Sequence, residues 1–172
     1  SAKKLLRFFT ISSLCLAGLT LQLHAYSWIE GEDAARSDVR RHNWYNKLIK
    51  DQFSDGQWVS HYNKTRPGAV QYTFTIEEAG QYVFWMRANP VASKMQYKLD
   101  DRGGKDVDMS DPIDRINVAA DGSLDHRFIA WLRQGAYELE AGEHQIRVRF
   151  KGGSANSGIL DAFVFTQDTS WI

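Results

Sequence analysis

The sequence predicts an all-β protein, a single antiparallel β-sandwich domain, on three observations. Apolar and polar residues alternate with a period of two in several short runs. Gly, Asn or Asp punctuates these runs about every ten residues. Proline is rare, at three residues in 172, while aromatics reach 13%. A period of two sends successive side chains to opposite faces, so each run reads as a strand with one buried and one wet face. Turn signals at this spacing argue for a sandwich or barrel rather than βαβ units.

The elements follow in order. Tyr72, Phe74 and Ile76 alternate with Thr and Gln and stop at Glu78-Ala79-Gly80. Tyr82, Phe84 and Met86 alternate with Val83, Trp85 and Arg87 up to Asn89-Pro90. Met95, Tyr97 and Leu99 lead into Asp100-Asp101-Arg102-Gly103-Gly104, a strand followed by a turn. Ile146, Val148 and Phe150 alternate with Arg147 and Arg149, which read as a solvated strand face. Residues 159–165 are almost continuously apolar, the pattern of a central strand buried on both sides. Further strands are expected over 28–32, 58–62, 116–119, 128–133 and 137–139. The one candidate helix lies between Asp38 and Asp51. Its apolar spacing is poor, so the region reads as loop with a turn of helix.

The first 25 residues read as a secretory signal rather than as part of the fold. Lys3, Lys4 and Arg7 precede an apolar run over 8–21, and Leu23-His24-Ala25 supplies a cleavage-like end. The run falls short of the roughly 20 apolar residues of a membrane span, a short membrane anchor being the alternative. Ser12-Ser13-Leu14 does not make a lipobox before Cys15. The expected product is residues 26–172, secreted or periplasmic, with no membrane attachment after cleavage. Three of the 21 basic residues and none of the 21 acidic residues lie in the signal, which leaves 18 against 21 and a net charge of −3. That sign disfavours a nucleic-acid partner. Cys15, the single cysteine, leaves with the signal. The remaining chain is long enough to bury a full core without disulfides. It carries no long linker and no repeat, and is expected to be a monomer.

The order of motifs carries a resemblance. The domain opens on Trp28-Ile29-Glu30-Gly31-Glu32-Asp33-Ala34. Its middle reads Gly80-Gln81-Tyr82-Val83-Phe84-Trp85-Met86-Arg87. Leu139-Glu140-Ala141-Gly142-Glu143-His144-Gln145-Ile146-Arg147-Val148 follows, and Gly158-Ile159-Leu160-Asp161-Ala162-Phe163-Val164-Phe165 closes the chain. Over essentially the whole domain this resembles the galactose-binding-like jelly rolls of carbohydrate-binding module families 6 and 35. The resemblance implies a jelly-roll sandwich, a polysaccharide or oligosaccharide ligand, and a catalytic domain in a longer parent chain. It also implies a structural calcium shared by the acidic first strand and the Asp of the last strand, at Glu30, Glu32 and Asp161 here.

Ligand chemistry supports the same three residues. In a strand over 28–32, Glu30 and Glu32 point to one face and repel unless a cation sits between them. Asp161 is a lone charge in an apolar run, and a buried charge needs a partner or a metal. The alternative is a solvated carboxylate pair, with Asp161 bonded to backbone or to an Arg. Asp33 reads as a turn residue.

A sugar site needs aromatic rings for sugar C–H faces and planar polar groups for hydroxyls. Three clusters offer them. The first is Arg40-Arg41-His42-Asn43-Trp44-Tyr45, with Trp44 and Tyr45 the candidates for exposure. The second is Trp58, His61 and Tyr62, with His61 alternatively a satisfied surface histidine. The third is Trp131 with the loop over 154–157, where Asn156 matches by position an Asn that bonds sugar in the resembled families. Arg87 and Asn89 close a strand end on the same rim. Trp28, Trp58 and Trp85 alternate within strands and read as core.

A binding module therefore leads. A small lyase or glycosidase would need a tuned acid/base pair or two carboxylates flanking a cleft. His42, Tyr45, His61 and Tyr62 are the conceivable players, but no spacing arranges them. A protein-contact domain is the third reading, since Trp, Tyr and Arg also dominate interface hot spots.

Overall fold

The computed structural model describes residues 24–91, 94–152 and 157–172. Asn156, Cys15 and nearly all of the expected signal segment lie outside the described residues. Eleven strands run in order as β1 (Tyr26–Glu30), β2 (Arg36–Ser37), β3 (Val59–Tyr62), β4 (Gly68–Ile76), β5 (Gly80–Ala88), β6 (Met95–Leu99), β7 (Lys105–Asp106), β8 (Ile113–Asn117), β9 (Phe128–Leu139), β10 (Gly142–Phe150) and β11 (Ser157–Thr166). They form two antiparallel sheets. Sheet A has the order β1-β11-β5-β9-β8, with β3 pairing the first half of β11 and β1 the second half. Sheet B has the order β2-β4-β10-β6-β7.

The two sheets close on one core. Tyr72, Phe74, Ile146, Val148 and Phe150 of sheet B meet Phe84, Met86, Leu160, Phe163 and Phe165 of sheet A. Phe84 and Phe165 stack at 4.5 Å, and Tyr72 meets Phe163 edge-on at 4.9 Å. Sheet B strands alternate as the sequence predicts, with Gln71, Thr73 and Thr75 of β4 turned outward. The expectation for 159–165 also holds: β11 is buried on both faces, because Ile159 and Val164 meet two further clusters outside sheet A.

Several boundaries differ from expectation. The first strand ends at Glu30, and Gly31–Asp33 turns as a 3-10 helix, so Glu30 and Glu32 do not share one strand face. The turn occurs because the chain passes hard against β11. A Cβ on Gly31 would lie 2.6 Å from the carbonyl oxygens of Leu160 and Asp161. The runs expected over 128–133 and 137–139 are one strand, β9. It bulges against β5 between Phe84 and Trp85, next to Gly135 at φ 114°. A side chain rarely adopts that φ, and an extra residue in one strand keeps both apolar sets on the core side. The strand expected over 116–119 lies at Ile113–Asn117. The two-residue strands β2 and β7 carry no alternating signal. Residues 38–51 are loop with short 3-10 turns at Asn43–Asn46 and Lys50–Gln52. Among the described residues no helix is long and apolar enough to cross a membrane.

Candidate functional site

Residues 40–62 fold over one end of sheet A's outer face and make a rim. The foundation is an apolar cluster of Tyr45, Leu48, Phe53, Trp58, Val118, Ile129 and Ile159, with Trp44 and Tyr62 packed at its edge. His42 caps the Asn43–Asn46 turn, its Nδ1 accepting from the Trp44 amide at 3.1 Å. Its ring meets Tyr62 edge-on at 5.1 Å. The Tyr62 amide donates to the Arg40 carbonyl at 2.9 Å, and Tyr62 pairs with Ser157, where the chain enters β11. His42, Trp44 and Tyr62 are thereby brought together, His42 exposed and the two rings half-buried.

Arg127, in the loop just before β9, locks the rim, and no periodicity marks it in the sequence. Its side chain is 2% exposed and bonds both carboxylates nearby, at 2.6 Å to Asp125 and 2.8 Å to Asp121. Nη1 donates to the Lys47 carbonyl at 3.3 Å, and the guanidinium lies 5.2 Å from the Trp44 ring centre. Hydrogen bonds from the Ser123 amide and then Arg127 hold Asp121 down at about 2. Arg127 itself, with its Trp44 neighbour, holds Asp125 below its ordinary range. Arg127 and the apolar cluster therefore both pack against the Trp44 ring, and a ring held in place before binding loses little entropy on binding.

Other candidates take different places. Tyr45 is fully buried, so it supports the rim from below and does not present a ring. His61 is 1% exposed. It accepts from the Arg40 amide at Nδ1 and meets the Arg66 carbonyl at Nε2, both at 3.0 Å. It is therefore a buried structural histidine. Asn89 is fully buried and ties the His126 carbonyl to the Val91 amide. Trp58 is core, as expected, with Arg41 5.1 Å from its ring.

Trp131 and Arg87 belong to a second region of sheet A's outer face. Trp131, Trp28 and Trp171 meet edge-on at 4.9–6.5 Å, and Trp171 also covers Trp85. Trp28 keeps 40% of its surface exposed, and Trp85 is buried as expected. Trp171 joins this cluster from beyond the last strand, where no periodicity marks it.

The acidic node separates these two regions. A bulge in β11 between Leu160 and Ala162 turns Asp161 outward. It is fully buried and pairs with Arg87 at 2.6 Å and with the Ser54 amide at 2.9 Å. Burial still raises it to about 6, against the pull of Arg87. This is the arginine partner that the sequence allowed as the alternative to a metal. Glu30 Oε1 accepts from the Trp28 indole and the Ser54 hydroxyl, both at 2.9 Å. Its Oε2 and that of Glu32 are buried with no hydrogen-bond partner. Burial, then the neighbouring carboxylates of Glu30, Asp33 and Asp55, raises Glu32 to about 7. Two orphaned carboxylate oxygens suit a hard cation. Asp161, with both oxygens engaged, does not present a free one, and among the described residues no three His, Cys, Asp or Glu side chains converge as a metal-binding group.

This architecture matches known structures. A GH26-CBM35 β-(1,4)-mannanase from Podospora anserina superposes at TM-score 0.52 and 12% identity over 81% of this chain. An exo-β-1,3-galactanase from Phanerochaete chrysosporium does so at TM-score 0.51 and 16% identity over 82%. A CBM35 module from Cellvibrio japonicus superposes at TM-score 0.50 and 13% identity over 82% of this chain. The chain shares the β-sandwich fold of these structures. It spans 92% of the Cellvibrio module but only 27% and 29% of the two enzymes. At these identities the likeness concerns the fold alone. No protein-family model and no curated protein sequence matches the chain.

Proposed function

We propose that this chain is a non-catalytic polysaccharide-binding module of a secreted glycan-degrading system, with its sugar platform at the Trp44 and Tyr62 rim. The observation that carries the reading is the locked Trp44 ring. It is half-buried, fixed by Arg127 and edged by His42, Tyr62 and the Asp121–Asp125 carboxylates. Such a site pairs an aromatic face for sugar C–H groups with charged acceptors and donors for hydroxyls. Its rigidity suits binding, and Tyr62 pairs with Ser157, the residue that follows Asn156 in sequence. A catalytic domain in a longer parent chain and a monomeric module complete the proposal.

A structural calcium is the second part. Glu30 and Glu32 would hold it through their unpartnered oxygens, with Asp161 joining only by releasing Arg87. The ion would neutralise carboxylates that burial disfavours and fasten the first strand's end to β11.

The test is native affinity electrophoresis through gels carrying soluble mannan, galactan, xylan or β-glucan, with calcium and with chelator. Retardation by one glycan, lost in Trp44→Ala and in Tyr62→Ala with the fold intact, is the expected result. Depolymerisation by the wild type that His42→Ala abolishes would replace the proposal with an enzyme. A protein-contact reading is favoured by one observation, the half-exposed Trp28, Trp131 and Trp171 cluster, and becomes the leading one if no glycan retards the protein.

A further inference from the structure

The outer face of sheet B carries a row of cations that no described residue neutralises. The strand register sets Arg36 of β2 opposite Gln71 of β4, Gln71 opposite Arg147 of β10, and Arg147 opposite Lys98 of β6. Directly opposed residues share a face, and the alternate residues of β4, β6 and β10 are the buried core, so this row faces outward. Arg149 stands two residues further along β10, in the row of Ala69 and Gln96. Arg36, Lys98, Arg147 and Arg149 are all exposed, and none of their side chains forms an ion pair or hydrogen bond with another described residue.

Acids near this face are already engaged or distant. Asp106, beside Gln96, pairs with Lys151 at 2.9 Å. Asp38, at the β2 end of the Arg149 row, accepts from the Ala69 amide. Glu143 lies at the far end of β10, opposite Thr75. Arg147 and Lys98 are thus a like-charge pair directly across two strands, an arrangement that costs stability. The chain expected after signal removal has an acidic balance, so this concentration of positive charge does not follow from composition.

We propose that this face docks the carboxylates of a polyuronate chain. The row crosses three inter-strand steps of about 4.8 Å, so it offers positive charge over about 14 Å, enough to meet several successive sugar units. Three of the four cations are guanidiniums, whose planar fork matches a carboxylate bidentately. The outward positions of β4, β6 and β10 carry no aromatic ring. Single-stranded nucleic acid needs such rings to stack its bases, so this face lacks what that polyanion would use. The site is separate from the Trp44 rim. Only the choice of a glycan as carrier of the carboxylates rests on the binding-module reading.

The experiment compares the intact wild-type protein with Arg36→Gln/Arg147→Gln in gels of polygalacturonate, a neutral mannan, a sulfated galactan and a single-stranded DNA oligomer. Polygalacturonate should retard the wild type. The double variant should lose about tenfold in affinity, since complementary charge supplies much of the attraction. Retardation should vanish near 0.5 M salt, where the screening length falls to about 4 Å. The variant's melting temperature should not fall, because a like-charge contact is relieved. Neutral-glycan retardation at the rim should be unchanged by the double variant. Equal polygalacturonate binding by wild type and variant overturns the proposal, as does equal or stronger retardation by the sulfated galactan or the DNA. If polygalacturonate binding instead depends on Trp44 alone, the cation row is refuted while the binding module stands. If no polysaccharide retards the wild type, both fall.

Discussion

Matching rows cross the outer faces of the two sheets and end in opposite environments. On sheet A, Glu30, Ala162, Arg87 and Trp131 lie side by side across β1, β11, β5 and β9, with Asp161 in the bulge beside Ala162, and the row is covered by the 50–56 loop or by Trp171. On sheet B, Arg36, Gln71, Arg147 and Lys98 cross β2, β4, β10 and β6 and stay in water. Burial forces the first row to satisfy its own charges, so Arg87 donates to Asp161 and to the Gln52 carbonyl and borders the Trp131 ring. Exposure lets water and salt screen the unpaired charge of the second row, so the Arg147–Lys98 repulsion costs far less than a buried unpaired charge would. The same strand geometry thus yields a structural node on one face and an electrostatic surface on the other.

The largest break in this comparison comes from Arg87→Leu. It leaves Asp161 buried without its cation and should lower stability by about 3–5 kcal/mol, read from the denaturation midpoint. Adding Asp161→Asn should recover part of that loss; no recovery would mean that Arg87 matters mainly through packing. Trp131→Ala should cost less, about 2 kcal/mol, because the ring is half-buried. A drop in Trp28 fluorescence anisotropy would accompany it if the cluster loosens.

A smaller effect is a pH dependence of the calcium-free protein. Glu32 is held up at about 7 by burial, and Asp161 at about 6. Folding therefore retains protons that the unfolded chain releases near pH 4. The stability from this retention is present below the unfolded values and declines as the pH rises toward 7. Glu32→Gln should flatten that decline in chelator. Added calcium should raise the melting temperature more at pH 8 than at pH 5, and no rise at pH 8 would remove Glu30 and Glu32 as ligands. The smallest effect is Arg149→Gln on the wet face of sheet B, within about 0.5 kcal/mol of wild type.

Much of the fold was legible because sheet B alternates and β11 does not. A period of two marks a half-wet strand, and a continuous apolar run marks one with both faces covered. The strand ends were less legible. Gly31 bends the chain because of carbonyls on β11, far away in sequence, and nothing local separates Glu32 from a continuing strand. The site was read in part. Trp44 and Tyr62 do border His42 on one apolar cluster, whereas Tyr45, His61 and Asn89, equally polar or aromatic in sequence, are buried supports.

The sequence alone determined the all-β class, the main strands, the alternation of core and wet positions, and the need of Asp161 for a partner. These follow from the chemistry of each residue and its immediate neighbours. Only the tertiary structure decided that Arg87 is that partner, that Arg127 locks Trp44, and that Arg36, Arg147 and Lys98 stand in one row. Each of these depends on which strands lie side by side. Pairing is a long-range choice made by the whole core, and no local pattern encodes it.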